Sequence, residues 1–191
     1  MDRTEVRITG LGGQGVVLSA HIIGRACAID AGMHATMIQS FGPEARGSAC
    51  SATLVIKETE VLYPYVRTPT VLIALSSDGY EKYKDELADD GTLIHEKDLV
   101  KAETRANQRA FGVPSTRIAE GLGRLIVQNI VMLGFAAAVT QIVPLEHMRN
   151  AVSASVPPGT TELNLKAFDS GVEYYEQNYG DAGKTVTTAA V

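Results

Sequence analysis

The stretch Val6-Arg7-Ile8-Thr9-Gly10-Leu11-Gly12-Gly13-Gln14-Gly15-Val16 decides the fold of this chain. Its first four residues alternate apolar and polar side chains, which predicts a short strand. The glycine-rich segment that follows leads into an amphipathic helix over residues 16–31, which Gly32 ends. A strand, a glycine loop and a helix in this order are typical of α/β domains, in which helix-terminal N–H groups can face an anion.

Strands and helices alternate through the rest of the chain. Strands are predicted at 34–39, 49–56, 71–75 and 92–95, and helices at 80–88, 115–140, 145–153 and 161–177. We therefore expect an α/β fold with three layers, built on a doubly wound, mostly parallel sheet. Residues 49–56 and 61–64 flank a polar turn and predict a hairpin insertion. One domain is expected over 1–179, followed by a flexible C-terminal tail over 180–191.

Composition excludes several classes of function. The chain has 191 residues, 45% of them hydrophobic, and a formal net charge of −5, so it offers no broad basic surface for nucleic acid. The N-terminus lacks the long apolar region of a signal peptide, which predicts a cytoplasmic protein. The apolar run Ile130–Val139 is too short for the roughly 20 residues of a membrane span and indicates a buried helix.

The residue types that hold metals or act as nucleophiles are sparse. Cys27 and Cys50 are the two cysteines, whereas a [4Fe–4S] cluster takes four. We interpret both as buried small apolar residues. The four histidines show no metal-ligand spacing. No catalytic residue and no metal ligand is therefore predicted on this chain.

The glycine loop leaves three interpretations open. Its Gly-x-Gly-x-x-Gly spacing fits the dinucleotide fingerprint, but the acidic residue expected at the end of the second strand is replaced by Gln39-Ser40. The loop binds NAD in the ordinary way, or makes only a tight turn, or binds another phosphorylated ligand or the edge of a partner's cofactor. The candidate binding residues are Gly10, Gly12, Gly13, Gln14 and Gly15.

A second candidate segment is the turn-rich loop over residues 40–48. It contains Glu44 and Arg46 and follows a strand, at the kind of sheet edge where α/β proteins bind ligands. Arginine offers a planar fork suited to carboxylate or phosphate. The alternative is a local ion pair between the two, worth at most about 1 kcal/mol if exposed.

Taken together, these two loops resemble a known family. Residues 10–16 and 40–47 resemble the γ subunit of the pyruvate, 2-oxoglutarate and 2-oxoisovalerate:ferredoxin oxidoreductases. The resemblance covers roughly residues 5 to 178 and continues through Tyr63-Pro64, 69–75, 129–134 and 164–171. Ser48 and Thr70 stand where the family often has glycine and aspartate, so the resemblance does not identify the 2-oxoacid.

The resemblance implies a function that is shared among several chains. The family decarboxylates a 2-oxoacid oxidatively on thiamine diphosphate with magnesium, passes electrons through [4Fe–4S] clusters to ferredoxin or NAD, and releases an acyl-CoA. The implied partners are α, β and ferredoxin-like subunits, sometimes with a subunit that carries FAD. This chain would hold none of the redox centres, and the isolated chain is expected to be inactive.

The resemblance also suggests where the chain acts. In fused relatives the corresponding domain lies near the entrance for CoA, so the glycine loop is a candidate contact for the CoA phosphates. The apolar segment 115–140 is expected to serve an obligate interface in a heteromer. Two alternatives remain open, namely a small subunit of indolepyruvate oxidoreductase and a stand-alone nucleotide-binding regulatory module.

Overall fold

A computed structural model describes residues 3–41 and 49–180 of the chain. Six strands and six α-helices make up this part. The strands are β1 (Thr4–Leu11), β2 (His34–Phe41), β3 (Ala49–Lys57), β4 (Val71–Ala74), β5 (Thr92–Glu96) and β6 (Arg109–Val113). The helices are α1 (Val16–Arg25), α2 (Ser77–Tyr83), α3 (Ser115–Gly121), α4 (Gln128–Thr140), α5 (Leu145–Ser155) and α6 (Thr161–Tyr179).

The six strands form one mixed sheet in the order β2-β3-β1-β4-β5-β6. Strands β1, β4, β5 and β6 are parallel to one another, and β3 runs antiparallel to both β1 and β2. The α/β fold class expected from the sequence is confirmed. The parallel strands end on the same edge, so the loops after β1, β4 and β5 share that edge.

The hairpin is formed by strands other than the predicted ones. The sequence favoured a pairing of residues 49–56 with 61–64, but β3 pairs with β2, and 61–64 is not a strand. The reason is that β3 also pairs with β1 along its length, from Thr4 opposite Ile56 to Leu11 opposite Ala49. Because both edges of β3 are occupied, no position remains for a third partner.

Helices cover both faces of the sheet and give the three layers. Apolar side chains of β1, Val6 and Ile8 among them, face a large core shared with α1, α4, α5 and α6. On the opposite face Leu72 and Leu93 form a smaller core with Tyr80 and Tyr83 of α2. Alternation along buried strands thus supplies apolar side chains to both layers.

The apolar segment 115–140 is divided and mostly buried within the chain. It contains α3, a 3₁₀ turn over Leu125–Val127, and α4, and the break follows Gly123, whose φ is +83°. Helix α4 packs against α6 at very short range, since a Cβ on Gly134 would lie 2.0 Å from the carbonyl oxygen of Phe168. The core therefore accounts for the apolar character of α4, and the expected interface of the heteromer stays a prediction.

Two further expectations concern a membrane-spanning helix and the C-terminal tail. Within the described ranges, no helix has the length and apolar character needed to cross a bilayer. Helix α6 ends at Tyr179, and residues 181–191 lie outside the described part of the chain. The division into a domain over 1–179 and a tail over 180–191 therefore stays a prediction.

Candidate functional site

The glycine loop between β1 and α1 is fixed by the side chain of Gln14. Its Oε1 accepts a hydrogen bond from the N–H of Leu11 at 2.7 Å, and its Nε2 donates to the carbonyl oxygen of Leu75 at 3.3 Å. The N–H of Gln14 donates back to the carbonyl oxygen of Leu11 at 3.1 Å. The side chain therefore ties the end of β1 to the end of β4, and its amide is committed within the protein.

Two glycines of this loop have backbone conformations that favour glycine, for different reasons. Gly15 has a φ of +73°, and a Cβ there would lie 2.4 Å from Nδ2 of Asn129. Gly13 has a φ of +98°, but among residues 3–41 and 49–180 nothing lies within 4 Å of the position of its Cβ. Gly15 is thus required by packing, whereas Gly13 leaves an exposed, open stretch of backbone.

Backbone donors are available where the loop meets α1. In the part of the chain that the structure describes, the N–H groups of Gly12 and Gly13 have no hydrogen-bond acceptor. Helix α1 begins after Gly15 without a side-chain cap and without an acidic residue in its first turn. These donors and the partial positive charge of a helix N-terminus favour an anion at this point.

The loop forms one wall of a cavity of about 460 Å³. The other walls come from the start of α3, the 3₁₀ turn and the start of α4. The lining residues are Gly13, Gln14, Leu99, Thr116, Leu125, Ile126 and Gln128. Ile126 also borders a second cavity of about 350 Å³, to which Arg124 contributes a cation. One wall of the cavity therefore carries backbone N–H donors, and the opposite wall carries apolar side chains and the amide of Gln128.

A buried carboxylate supports the second wall. Glu96, at the end of β5, is 1% exposed. Its Oε2 accepts hydrogen bonds from the N–H of Thr116 at 2.9 Å, from Oγ1 of Thr116 at 3.2 Å, and from Oγ of Ser115 at shorter range. Glu96, Ser115 and Thr116 could not be predicted as a group, because the local signal in the sequence is a single acidic residue at a strand end.

Asn129 connects the two walls. Its Nδ2 donates to the carbonyl oxygen of Gly15 at 3.4 Å and to Oγ of Ser19 at 3.5 Å. The side chain is 3% exposed, so these contacts satisfy a buried amide that would otherwise be costly. The residue holds the start of α4 against the start of α1.

The second predicted loop lies outside the described residues, and with it Glu44 and Arg46. Its two flanking strands are described. Phe41 at the end of β2 is opposite Cys50, and Ala49 at the start of β3 is opposite Leu11. The segment therefore leaves and re-enters the sheet beside the end of β1, on the edge that carries the glycine loop. The binding role of Glu44 and Arg46 stays a prediction.

The sheet order does not favour the arrangement in which NAD usually binds. In the dinucleotide fold the second strand lies beside the first and ends with the acidic residue that binds the ribose. Here β3 separates β1 from β2, which places β2 roughly 10 Å from β1. The strand ends with Gln39, Ser40 and Phe41, none of them acidic.

The cysteines and histidines of the described residues show no metal-binding geometry. No group of three side chains among the described His, Cys, Asp and Glu residues comes together to hold a metal. Burial raises the pKa of the Cys27 thiol to about 12 and also raises the pKa of Cys50. Burial lowers the pKa of His95. These are packed side chains, as interpreted for the two cysteines from the sequence.

Known proteins match this chain over most of its length. A family model described as pyruvate ferredoxin/flavodoxin oxidoreductase matches residues 5–174. The 2-oxoglutarate synthase subunit KorC of Methanocaldococcus jannaschii is 42% identical over 174 residues, which are 90% of this chain and 93% of that protein. The pyruvate synthase subunit PorC of Methanothermobacter thermautotrophicus is 32% identical over 180 residues, which are 91% of this chain and 96% of that protein.

A solved structure gives the same result for the fold. The γ subunit of the keto/oxoacid ferredoxin oxidoreductase from Geobacter sulfurreducens superposes with a TM-score of 0.79 at 36% identity, over 89% of this chain and 96% of that one. The resemblance inferred from the two loops is confirmed. The chain belongs to the pyruvate ferredoxin/flavodoxin oxidoreductase family.

Proposed function

We propose that this chain is the γ-type subunit of a CoA-acylating 2-oxoacid oxidoreductase and that its glycine-loop cavity receives the phosphate-bearing part of CoA. The observation that carries the proposal is that the N–H groups of Gly12 and Gly13, which have no acceptor among the described residues, adjoin a cavity of about 460 Å³. Such donors at a helix N-terminus are suited to an anionic pyrophosphate.

The surroundings of the cavity support a ligand that is anionic at one end and partly apolar elsewhere. Leu125 and Ile126 are 51% and 80% exposed, and they form an apolar ridge beside the loop. Arg124 precedes this ridge and adds a positive charge on the side of the second cavity. CoA combines phosphates with a long, less polar arm, so its chemistry matches both features.

The redox centres of the proposed complex belong to other subunits. A [4Fe–4S] cluster takes four cysteines, and this chain has two, both buried in its own core. Thiamine diphosphate with magnesium supplies the carbanion-stabilising chemistry, and we assign it and the clusters to α, β and ferredoxin-like subunits. The residues of this chain bind and orient CoA. We propose that the complex lies in the cytoplasm.

We propose 2-oxoglutarate as the substrate. The basis is that 2-oxoglutarate synthase subunits of Methanocaldococcus jannaschii and two Methanothermobacter species are 41–43% identical to this chain. The pyruvate synthase subunits are 31–32% identical, and the 2-oxoglutarate synthase subunit of Archaeoglobus fulgidus is 31% identical. In the overall reaction the bond between C1 and C2 of the 2-oxoacid breaks and CO₂ leaves. The sulfur of CoA bonds to C2, the thiol proton is released, and two electrons pass to ferredoxin or NAD.

The proposal is tested on the complex purified with this chain as the tagged subunit. A panel of 2-oxoacids is offered in turn with CoA and an electron-accepting dye. We expect co-purifying subunits with iron and thiamine, and CoA-dependent dye reduction that is fastest with 2-oxoglutarate. A preference for an aryl pyruvate would support the indolepyruvate alternative instead. A chain that purifies alone and binds NAD would support the regulatory module.

A further inference from the structure

The second wall of the cavity depends on Glu96, which is buried without a cationic partner. Among residues 3–41 and 49–180 it is the one Asp or Glu that is buried, and no lysine, arginine or histidine forms an ion pair with it there. An isolated buried charge costs several kcal/mol unless hydrogen bonds compensate it. The chain supplies four, from Ser115 Oγ, from the N–H and Oγ1 of Thr116, and from the N–H of Asp98 at 3.1 Å.

These hydrogen bonds hold the start of α3 in place. Helix α3 is preceded by Pro114, which offers no side-chain cap. The carboxylate of Glu96 accepts the N–H of Thr116 instead, across a separation of 20 residues. The hydroxyl of Thr116 is therefore fixed in position where α3 borders the cavity.

Thr116 has two neighbours and one hydroxyl proton. Its Oγ1 is placed to donate to Oε2 of Glu96 at 3.2 Å and to Oε1 of Gln128 at 3.1 Å, but one proton can serve only one of these acceptors. A carboxylate is the stronger acceptor, so the proton goes to Glu96. The amide of Gln128 can rotate by 180°, and only the rotated amide donates to Thr116, through Nε2. Its Oε1 is then the amide atom left available to the cavity that Gln128 lines.

We propose that Glu96 is a positioning residue that acts through Thr116 to set the amide of Gln128, so that a hydrogen-bond acceptor faces the glycine loop across the cavity. One wall then offers N–H donors to the ligand, and the other offers a carbonyl oxygen. The group of the ligand beside Gln128 carries an N–H or O–H donor. This inference rests on the proposed function, since it assigns a polarity to the wall that CoA would contact.

The test measures CoA kinetics of the assembled complex with substitutions at Thr116 and Gln128. Thr116→Val removes the hydroxyl at nearly constant volume, and Thr116→Ser keeps it. We expect Thr116→Val to raise the apparent KM for CoA about three- to tenfold, the loss of one net hydrogen bond, with kcat unchanged. Thr116→Ser, which keeps the hydroxyl, should leave the KM for CoA at its wild-type value. A merely structural role would lower the stability of the complex but leave the KM of correctly assembled complex unchanged.

The decisive measurement is the coupling between the substitutions at Thr116 and Gln128. Gln128→Met should raise the KM for CoA by a similar factor, and adding Thr116→Val to it should change nothing more, because Thr116 acts only through Gln128. Glu96→Gln should raise the KM as well, since its amide can donate to Thr116 and so reverse the amide of Gln128. Additive effects of the Thr116 and Gln128 substitutions would overturn the inference.

A Gly13→Leu complex separates this inference from the proposed function. If Gly13→Leu raises the KM for CoA while Thr116→Val leaves it unchanged, the cavity binds CoA but Glu96 does not set its polarity, and the inference fails alone. If none of these substitutions changes the KM, the proposed CoA site itself is refuted, and the inference fails with it.

Discussion

Replacing Gly13 with leucine tests whether the glycine loop receives CoA. The φ of +98° at this position disfavours any side chain, and the strain costs about 1–2 kcal/mol. Within the described part of the chain no atom lies within 4 Å of the added Cβ, so the side chain does not disturb the described core. It instead enters the cavity that Gly13 borders. A leucine there excludes an anion from the N–H groups of Gly12 and Gly13.

The magnitude follows from the contacts that would be lost. A hydrogen bond to a charged group contributes about 1.5–3 kcal/mol, and 1.4 kcal/mol is tenfold in an equilibrium constant. We therefore expect the apparent KM for CoA to rise about ten- to a hundredfold. The KM for the 2-oxoacid should stay unchanged, because that substrate is bound by other subunits in the proposed complex. The assay is CoA-dependent dye reduction by the purified complex.

Gly32 provides a matched control. It also has a positive φ, +66°, and no atom of the described residues lies within 4 Å of its Cβ position. It follows α1 and is not among the residues that line this cavity. Gly32→Leu carries comparable backbone strain without blocking the loop. The reasoning is refuted if Gly13→Leu assembles and keeps the wild-type KM for CoA, or if Gly32→Leu raises that KM equally.

Three further outcomes are expected. The isolated chain should bind no iron and reduce no dye with any 2-oxoacid, and stoichiometric iron with turnover would contradict the assignment of the clusters to partners. Arg46→Ala should weaken CoA use or subunit assembly with an unchanged cluster content per complex, and wild-type behaviour in both would assign Arg46 to a local ion pair. Because burial lowers the pKa of His95, the unfolded chain binds the extra proton first as pH falls. Stability should therefore decrease below pH of about 6.5, and His95→Asn should reduce this slope in urea titrations at several pH values.

Much of the fold could be predicted because its signals are local. The strand, loop and helix at the N-terminus depend on apolar spacing and glycines within a few residues, and β1 and α1 lie where these indicated. The glycines of the segment 115–140, which is predicted as one helix, are a second local signal, because glycine permits both a helix break and close packing. Gly123 has a positive φ where the helix is divided, and Gly134 allows close approach to α6.

The pairing partner of β3 could not be predicted in the same way. Polar residues after Lys57 looked like a tight turn, and a tight turn is the usual link between hairpin strands. The actual hairpin joins β2 and β3, which residues 42–48 connect along the chain, and this segment is also rich in turn formers. Pairing is a tertiary property, and the decisive contact was that of β1 with the other edge of β3.

The two walls of the cavity also differ in whether they could be predicted from local sequence. The glycine loop is contiguous, so its donors could be predicted from six residues of sequence. The facing wall combines Glu96, Thr116 and Gln128, which are separated by 20 and 12 residues and meet only because β5, α3 and α4 converge at one sheet edge. None of the three has a distinctive neighbour in sequence. Substitutions in this wall therefore provide the more independent test of the site, because their effect on CoA binding depends on the tertiary arrangement rather than on the motif that first indicated the family.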